Sequence, residues 1–363
     1  MIAEPHRRNL ASLSRSVGRS FELPSPRHGP AAYQQALLDV IDQEAVDLVV
    51  PISEEALHVI PLLAEHRPAV PCFGPNPATL LQLHDKGGFI DLVRDIGWPA
   101  PETHRADTDA AAALVRAQPT VLKARASCAG DGLQFLEPGA PIPAAKQTPQ
   151  WVLQHHVAGA LTCSFALVID GVVQRTIVYR AEVLSGTVAV CFRRLQENEA
   201  AYADFTRRIA AATGFSGFLA FDFIDDGVHA PWPIECNPRV TSGIHFLDAT
   251  ACARLLLRNT GLATAAGEAE VRDIGLSPHL LQQQFYPCLT ETQRVMFSDG
   301  AAFRHRLRLL RKAKDVTFRW RDPLPFLLMP YAAWRIMSKA LFGGMTFGAA
   351  ATVDIEWDGI IDS

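Results

Sequence analysis

Ile234-Glu235-Cys236-Asn237-Pro238-Arg239, preceded at the spacing of one β-hairpin by Phe221-Asp222-Phe223, decides how this chain is read. Side chains on a strand alternate faces, so Glu235, Asn237 and Arg239 share a side. Asp222 joins them from the partner strand across a turn at Asp225-Asp226-Gly227. Two hard carboxylates and an amide oxygen suit Mg²⁺, an ion that keeps open positions for phosphate oxygens; a nearby arginine holds what the ion does not. The four residues therefore point to a phosphoryl-transfer site. The competing reading, a coincidental E-x-N-x-R on an ordinary strand, is weighed against the rest of the chain.

With 363 residues, 48% hydrophobic and 20% charged, the chain can bury a large core and divide into two or three lobes. A net charge of -4 and a pI near 6.3 exclude a global attraction to nucleic acid. The N-terminus lacks the charged-then-apolar pattern of a secretory signal, so the expected location is cytoplasmic. Seven cysteines stand singly without a C-x-x-C pair, which argues against a disulfide framework or a zinc ribbon and for reduced thiols.

Residues 33–45 read as a helix with Ala36, Leu37, Val40 and Ile41 on one side, followed by a buried strand over 46–50 and a turn into another helix. A short strand at 71–75 leads to helices over 80–86 and 89–96, the second closed by Gly97. Beyond Thr103 the character is antiparallel: strands over 121–125, 133–136 and 151–157, a hairpin around Asp170-Gly171, and a helix over 197–213 before the Asp222 hairpin. The small-residue loop 126–132 lets backbone N–H groups approach an anion, with Lys123 as a point charge beside it. It reads as a phosphate lid, with a plain flexible hairpin tip as the alternative.

In order, the chain presents His84-Asp85-Lys86, Gly97-Trp98-Pro99-Ala100-Pro101, Val121-Leu122-Lys123 with its glycine loop, and Leu153-Gln154-His155-His156-Val157-Ala158-Gly159. Thr213-Gly214-Phe215-Ser216-Gly217, Phe221-Asp222-Phe223 and Glu235-Cys236-Asn237-Pro238-Arg239 follow. This order and spacing, over residues 30–260, resemble the ATP-grasp superfamily, in which two α+β lobes clamp ATP behind a Rossmann-like lobe. The resemblance implies an α/β and α+β architecture. Its parts are an N-terminal Rossmann-like lobe over 1–83, a small lobe with the lid over 84–157, a large lobe with the metal site over 158–300, and an extension over 301–363. No strand–glycine turn–helix unit is visible at Met1-Ile2-Ala3-Glu4-Pro5, so the first lobe is expected without its opening strand.

The same resemblance implies roles. Lys86 and Lys123 would neutralise the α- and β-phosphates, Ser127 and Gly130 belong to the lid, Gln154 stands near the adenine amino group, and His155 and Val157 offer backbone contacts of the hinge. Asp222, Glu235 and Asn237 would ligate Mg²⁺ or Mn²⁺, and Arg239 would steady the γ-phosphate and an acyl phosphate. The implied reaction is ligation of a small-molecule carboxylate to an amine through an acyl phosphate, with ADP and phosphate released and no side-chain nucleophile required. Biotin- or bicarbonate-type carboxylation and a nucleotide-binding regulatory protein without turnover are the alternatives, and an oligomer is open. Two positions depart from the family: Leu161-Thr162 where many relatives carry an acidic ribose contact, and Asp131 among the lid glycines.

Residues 303–321 carry eight Arg or Lys against the single acid Asp315 and read as an amphipathic basic helix. The apolar run 326–337 is interrupted by Pro330 and Arg335, too short and broken to span a bilayer. A docked helical pair with a solvated face is the expectation for 303–340, with peripheral membrane contact or an anionic ligand as alternatives. Residues 351–359 alternate like a half-buried strand.

Overall fold

The computed structural model describes residues 1–6, 9–126, 133–186, 188–259, 274–343, 350 and 354. The expected lid with Ser127, Gly130 and Asp131, and the expected strand over 351–359 apart from residue 354, lie outside the described residues.

The chain begins β1 (Ile2–Glu4), β2 (Ser20–Glu22), α1 (Pro30–Gln43), α2 (Ala56–His66), α3 (Pro77–His84) and α4 (Lys86–Asp95). There follow β3 (Thr103–Arg105), α5 (Asp109–Ala117), β4 (Thr120–Ala124), β5 (Gln134–Leu136), β6 (Trp151–His155), β7 (Ala160–Ile169), β8 (Val172–Ser185) and β9 (Val188–Leu195). The remainder is α6 (Glu199–Thr213), β10 (Gly217–Asp225), β11 (Trp232–Asn237), α7 (Ala249–Asn259), β12 (Leu281–Gln283), α8 (Phe285–Arg294), α9 (Gly300–Lys312), β13 (Lys314–Asp315) and α10 (Leu324–Gly343).

These elements form two compact units. The larger comprises Leu48–Arg180, Leu195–Leu276 and Trp357–Ser363. It holds the antiparallel sheet β3-β6-β4-β5, which packs on α5 through Leu114, Val115, Leu122 and Leu153. It also holds the strand order β11-β10-β7 with the first half of β8, whose core side meets α4 and α6 through Phe89, Phe205, Phe221 and Phe223. Gly159 joins the two strand sets where the Asp225 carbonyl would lie 2.5 Å from any Cβ, so only glycine passes there. The smaller unit comprises Met1–Asp47, Ala181–Arg194 and Ser277–Glu356. It contains the parallel pair β1-β2, the strands β9-β12-β13 with the end of β8, and helices α1, α8, α9 and α10.

The structure corrects the sequence reading at several places. A short strand, β1, does open the chain, pairing in parallel with β2. Residues 46–50 are half-buried or exposed and form a single parallel bridge, Val49 with Cys72, so the expected buried strand is absent and the Rossmann-like lobe is not reproduced there. The β10–β11 connection is the longer loop 226–231, because the Asp226 carboxylate accepts from the N–H groups of Val228 and His229 and from Trp232 Nε1. The basic helix ends at Lys312, since Lys314 and Asp315 are captured as β13 beside Gln282 and Gln283. Arg319 and Arg321 thus stand outside it.

Candidate functional site

The site is built on β10 and β11. In Phe221-Asp222-Phe223 both rings are fully buried against Phe205, and strand alternation turns the Asp222 carboxylate to the opposite face. Asp222 lies directly across the antiparallel pair from Glu235, and the register shifts just after it, at a bulge of the kind that re-aims a side chain. Asn237 Nδ2 donates to Asp222 Oδ2 at 3.4 Å, while its Oδ1 accepts from Arg239 Nη2 at 3.0 Å.

Arg239 reaches this cluster differently from the expected same-face alternation. β11 ends at Asn237, and the chain turns at Pro238 so that the Arg239 N–H bonds the Asn237 carbonyl at 2.8 Å. Its Nε donates at 2.6 Å to Glu54, a carboxylate only 3% exposed that precedes α2. Burial alone would push Glu54 up, but the charges of Arg239, His84 and Lys86 together hold it below the ordinary carboxylate value. His84, the last residue of α3, is brought down by burial and by Lys86, with Glu54 opposing. Ser53, Glu54, His84, Pro238 and Arg239 line a small cavity of about 10 Å³, room for about one water.

Lys86 is the first residue of α4, and its Nζ lies 3.6 Å from Glu235 Oε1. The sequence places it there through Asp85, which caps the helix by accepting from the N–H groups of Gly87 and Gly88. Asp85 also pairs with Arg125 at 2.7 Å, and Lys86 N–H donates to the Arg125 carbonyl, so the helix start is tied to the end of β4. Lys123 lies on that strand. It is buried, and its Nζ donates at 2.7 Å to Gln154 Oε1, while Gln154 Nε2 donates to Thr103 Oγ1. Burial and the charge of Lys86 bring the Lys123 ammonium down to about 8, with Glu235 and Asp222 pulling the other way. Burial and the charge of Glu235 push Asp222 up, opposed by its hydrogen bond with Cys163 and by Arg239 and Lys123.

Six of the expected residues, Lys86, Lys123, Asp222, Glu235, Asn237 and Arg239, therefore converge in one electrostatic cluster. Gln154 stands beside Lys123 with its amide engaged on both ends. His155 ends β6 with its N–H donated to the Glu102 carbonyl, and Val157 follows in the hinge, both outside the charged cluster. Glu54, His84 and the Asp85–Arg125 pair were not foreseen. Asp85 could have been found as the cap of a helix opening Lys86-Gly87-Gly88; Glu54 could not, because acids beside a helix N-terminus have the macrodipole as sufficient explanation.

The donor set fits a hard divalent cation. Two opposed carboxylates repel each other, and Asn237 Oδ1 keeps a second lone pair beyond its bond to Arg239. Among the described residues no group of three or more His, Cys, Asp or Glu could hold a metal, so the Asn237 oxygen is needed as the third donor.

No protein-family model matches the chain, and no curated protein matches it in sequence. Solved structures match it in fold. A biotin carboxylase from Campylobacter jejuni in complex with β-γ-ATP superposes with a TM-score of 0.60 at 14% identity, over 76% of this chain and 67% of that one. N5-carboxyaminoimidazole ribonucleotide synthetase from Thermus thermophilus gives 0.59 at 16% identity, over 87% and 92%. Rhizobium etli pyruvate carboxylase gives 0.57 at 17% identity over 76% of this chain, which spans only 27% of the length of that enzyme.

Proposed function

We propose that this chain, which has the ATP-grasp fold, is an ATP-dependent ligase that activates a small-molecule carboxylate as an acyl phosphate and joins it to an amine, releasing ADP and phosphate. The observation that carries the reading is the convergence of Lys86, Lys123, Asp222, Glu235, Asn237 and Arg239 in one unit. Cations and hard oxygens are placed where a polyphosphate and its metal would meet them.

Lys123, protonated at neutral pH with its value near 8, and Lys86 would hold the phosphate charge of ATP. Asp222, Glu235 and Asn237 would hold Mg²⁺, which when bound supplies charge neutralisation to the phosphates. The substrate carboxylate oxygen forms a bond to the γ-phosphorus as the bond to the bridging oxygen of ADP breaks. Arg239, fixed by Glu54 on one edge and Asn237 on the other, is positioned for the charge that develops on the transferring group. The amine then displaces phosphate from the acyl carbon and loses a proton. The neighbouring thiols of Cys163 and Cys236 are held neutral by burial, far above the usual range, which disfavours a thiolate nucleophile.

The test is a screen for ADP release across pairs of carboxylates and amines, with and without Mg²⁺. ADP dependent on an acid, an amine and Mg²⁺ is expected. AMP and pyrophosphate would overturn the reading, and ADP release driven by bicarbonate with no amine would move the chain to a carboxylase.

A further inference from the structure

Helix α10 is turned inside out. Leu324, Leu327, Tyr331, Trp334, Met337 and Leu341 recur every three or four residues and all face solvent, Leu327 at 63% and Trp334 at 58% exposure. The sequence Leu324–Gly343 carries only two charged residues, and both point into the unit: Arg335 Nη2 meets His6 Nδ1 at 3.0 Å, and Lys339 pairs with Asp354. Phe326 and Met329 pack inward, Phe326 against Phe285, Tyr286 and Phe318. The opposite arrangement would bury more apolar surface. A continuous apolar face of this length marks a contact site.

The chemistry at its border says which kind. Trp320, 87% exposed, and the exposed Arg319 and Arg321 immediately precede the helix, and the exposed Lys314 lies 5.9 Å over the Phe318 ring that packs on Phe326. Aromatic rings at the edge of an aliphatic stripe, flanked by cations, match the boundary between acyl chains and anionic headgroups. A second copy of the chain would bring those cations no acid, because α10 has none. Pro330 interrupts the helix, and no described helix is long and apolar enough to cross a membrane, so the face would lie on a bilayer.

We infer that the exposed face of α10, with Trp320 and the cations Lys314, Arg319 and Arg321, docks this protein on an anionic lipid surface. The experiment is flotation of the full chain with vesicles of phosphatidylcholine alone or containing phosphatidylglycerol, at low and high salt, alongside sedimentation without vesicles. Binding to the anionic vesicles should exceed binding to the neutral ones by about tenfold or more and weaken with salt. The double variant Leu327→Glu, Trp334→Glu should lose about tenfold in binding while keeping its thermal midpoint, since both side chains are already in solvent. Arg319→Glu with Arg321→Glu should erase only the preference for phosphatidylglycerol. Absence of wild-type flotation would overturn the inference, as would flotation indifferent to both variants. Self-association abolished by Leu327→Glu, Trp334→Glu, without lipid binding, would assign the face to a second copy instead.

Discussion

The β10–β11 cluster and helix α10 each reverse the usual placement of polar and apolar groups, and they do so in opposite senses. In the first, charges are drawn inward and every one described meets a charge or amide: Lys86 with Glu235, Arg239 with Glu54 and Asn237, Lys123 with Gln154. In the second, apolar side chains are turned outward while the two helix charges are satisfied within the unit. Inward charges with fixed partners make a preorganised field, suited to a ligand whose own charge changes during reaction. Outward apolar groups make a surface whose stabilisation must come from a partner. The difference teaches that burial of charge, more than the presence of charge, separates chemistry from docking in this chain.

The sharpest way to break that contrast is Glu235→Gln, which removes one charge from the opposed pair without changing shape. Turnover should fall by about a hundred- to a thousandfold with the melting temperature retained. Wild-type activity in this variant would remove Glu235 from the metal site. Next in size is Arg239→Ala. Its expected signature is a catalytic rate about a hundredfold lower with ATP affinity changed only a few-fold, because the charge it meets grows as the phosphoryl group moves. Equal losses in rate and in ATP affinity would make it a ground-state contact.

Lys123→Met should weaken ATP binding by about ten- to a hundredfold, read by calorimetry, as expected for a lost charged hydrogen bond. The same substitution has a pH signature in the free protein. Because the folded value of Lys123 lies near 8, below its ordinary 10.5, the unfolded chain binds more protons between those values and stability should rise across that window. Unfolding curves that rise equally in Lys123→Met would show that the buried ammonium is not the source. The smallest expected effect is in Glu54→Gln, about tenfold in rate, acting through Arg239. Glu54 is held below the ordinary carboxylate value, so its stabilising contribution is present above that value and lost as the pH falls through the lowered folded one. Acid unfolding of Glu54→Gln should therefore be less steep in this range than that of the wild type.

Much of the cluster was legible because its information is local. Phe-Asp-Phe and Glu-Cys-Asn fix by alternation which groups enter the core and which share a face, and the structure keeps that alternation through Asn237. Alternation failed one step later, at Pro238, where the strand ends and Arg239 is oriented by a turn and by Glu54, 185 residues away in the chain. No local pattern could carry that contact. The β10–β11 loop was misjudged because Asp226 caps three donors at once and lengthens the turn. In the C-terminal region composition showed a basic helix, but where it stops depends on pairing with Gln282 and Gln283, and which side of α10 faces solvent depends on His6 and Asp354.

The central claim is that the buried cluster transfers the γ-phosphoryl group to a carboxylate. It is tested most directly with ¹⁸O in the carboxyl group of an acid that supports ADP release. The account predicts one ¹⁸O in the inorganic phosphate released by the wild type. Label appearing in AMP, or phosphate that carries oxygen only from water, would contradict it.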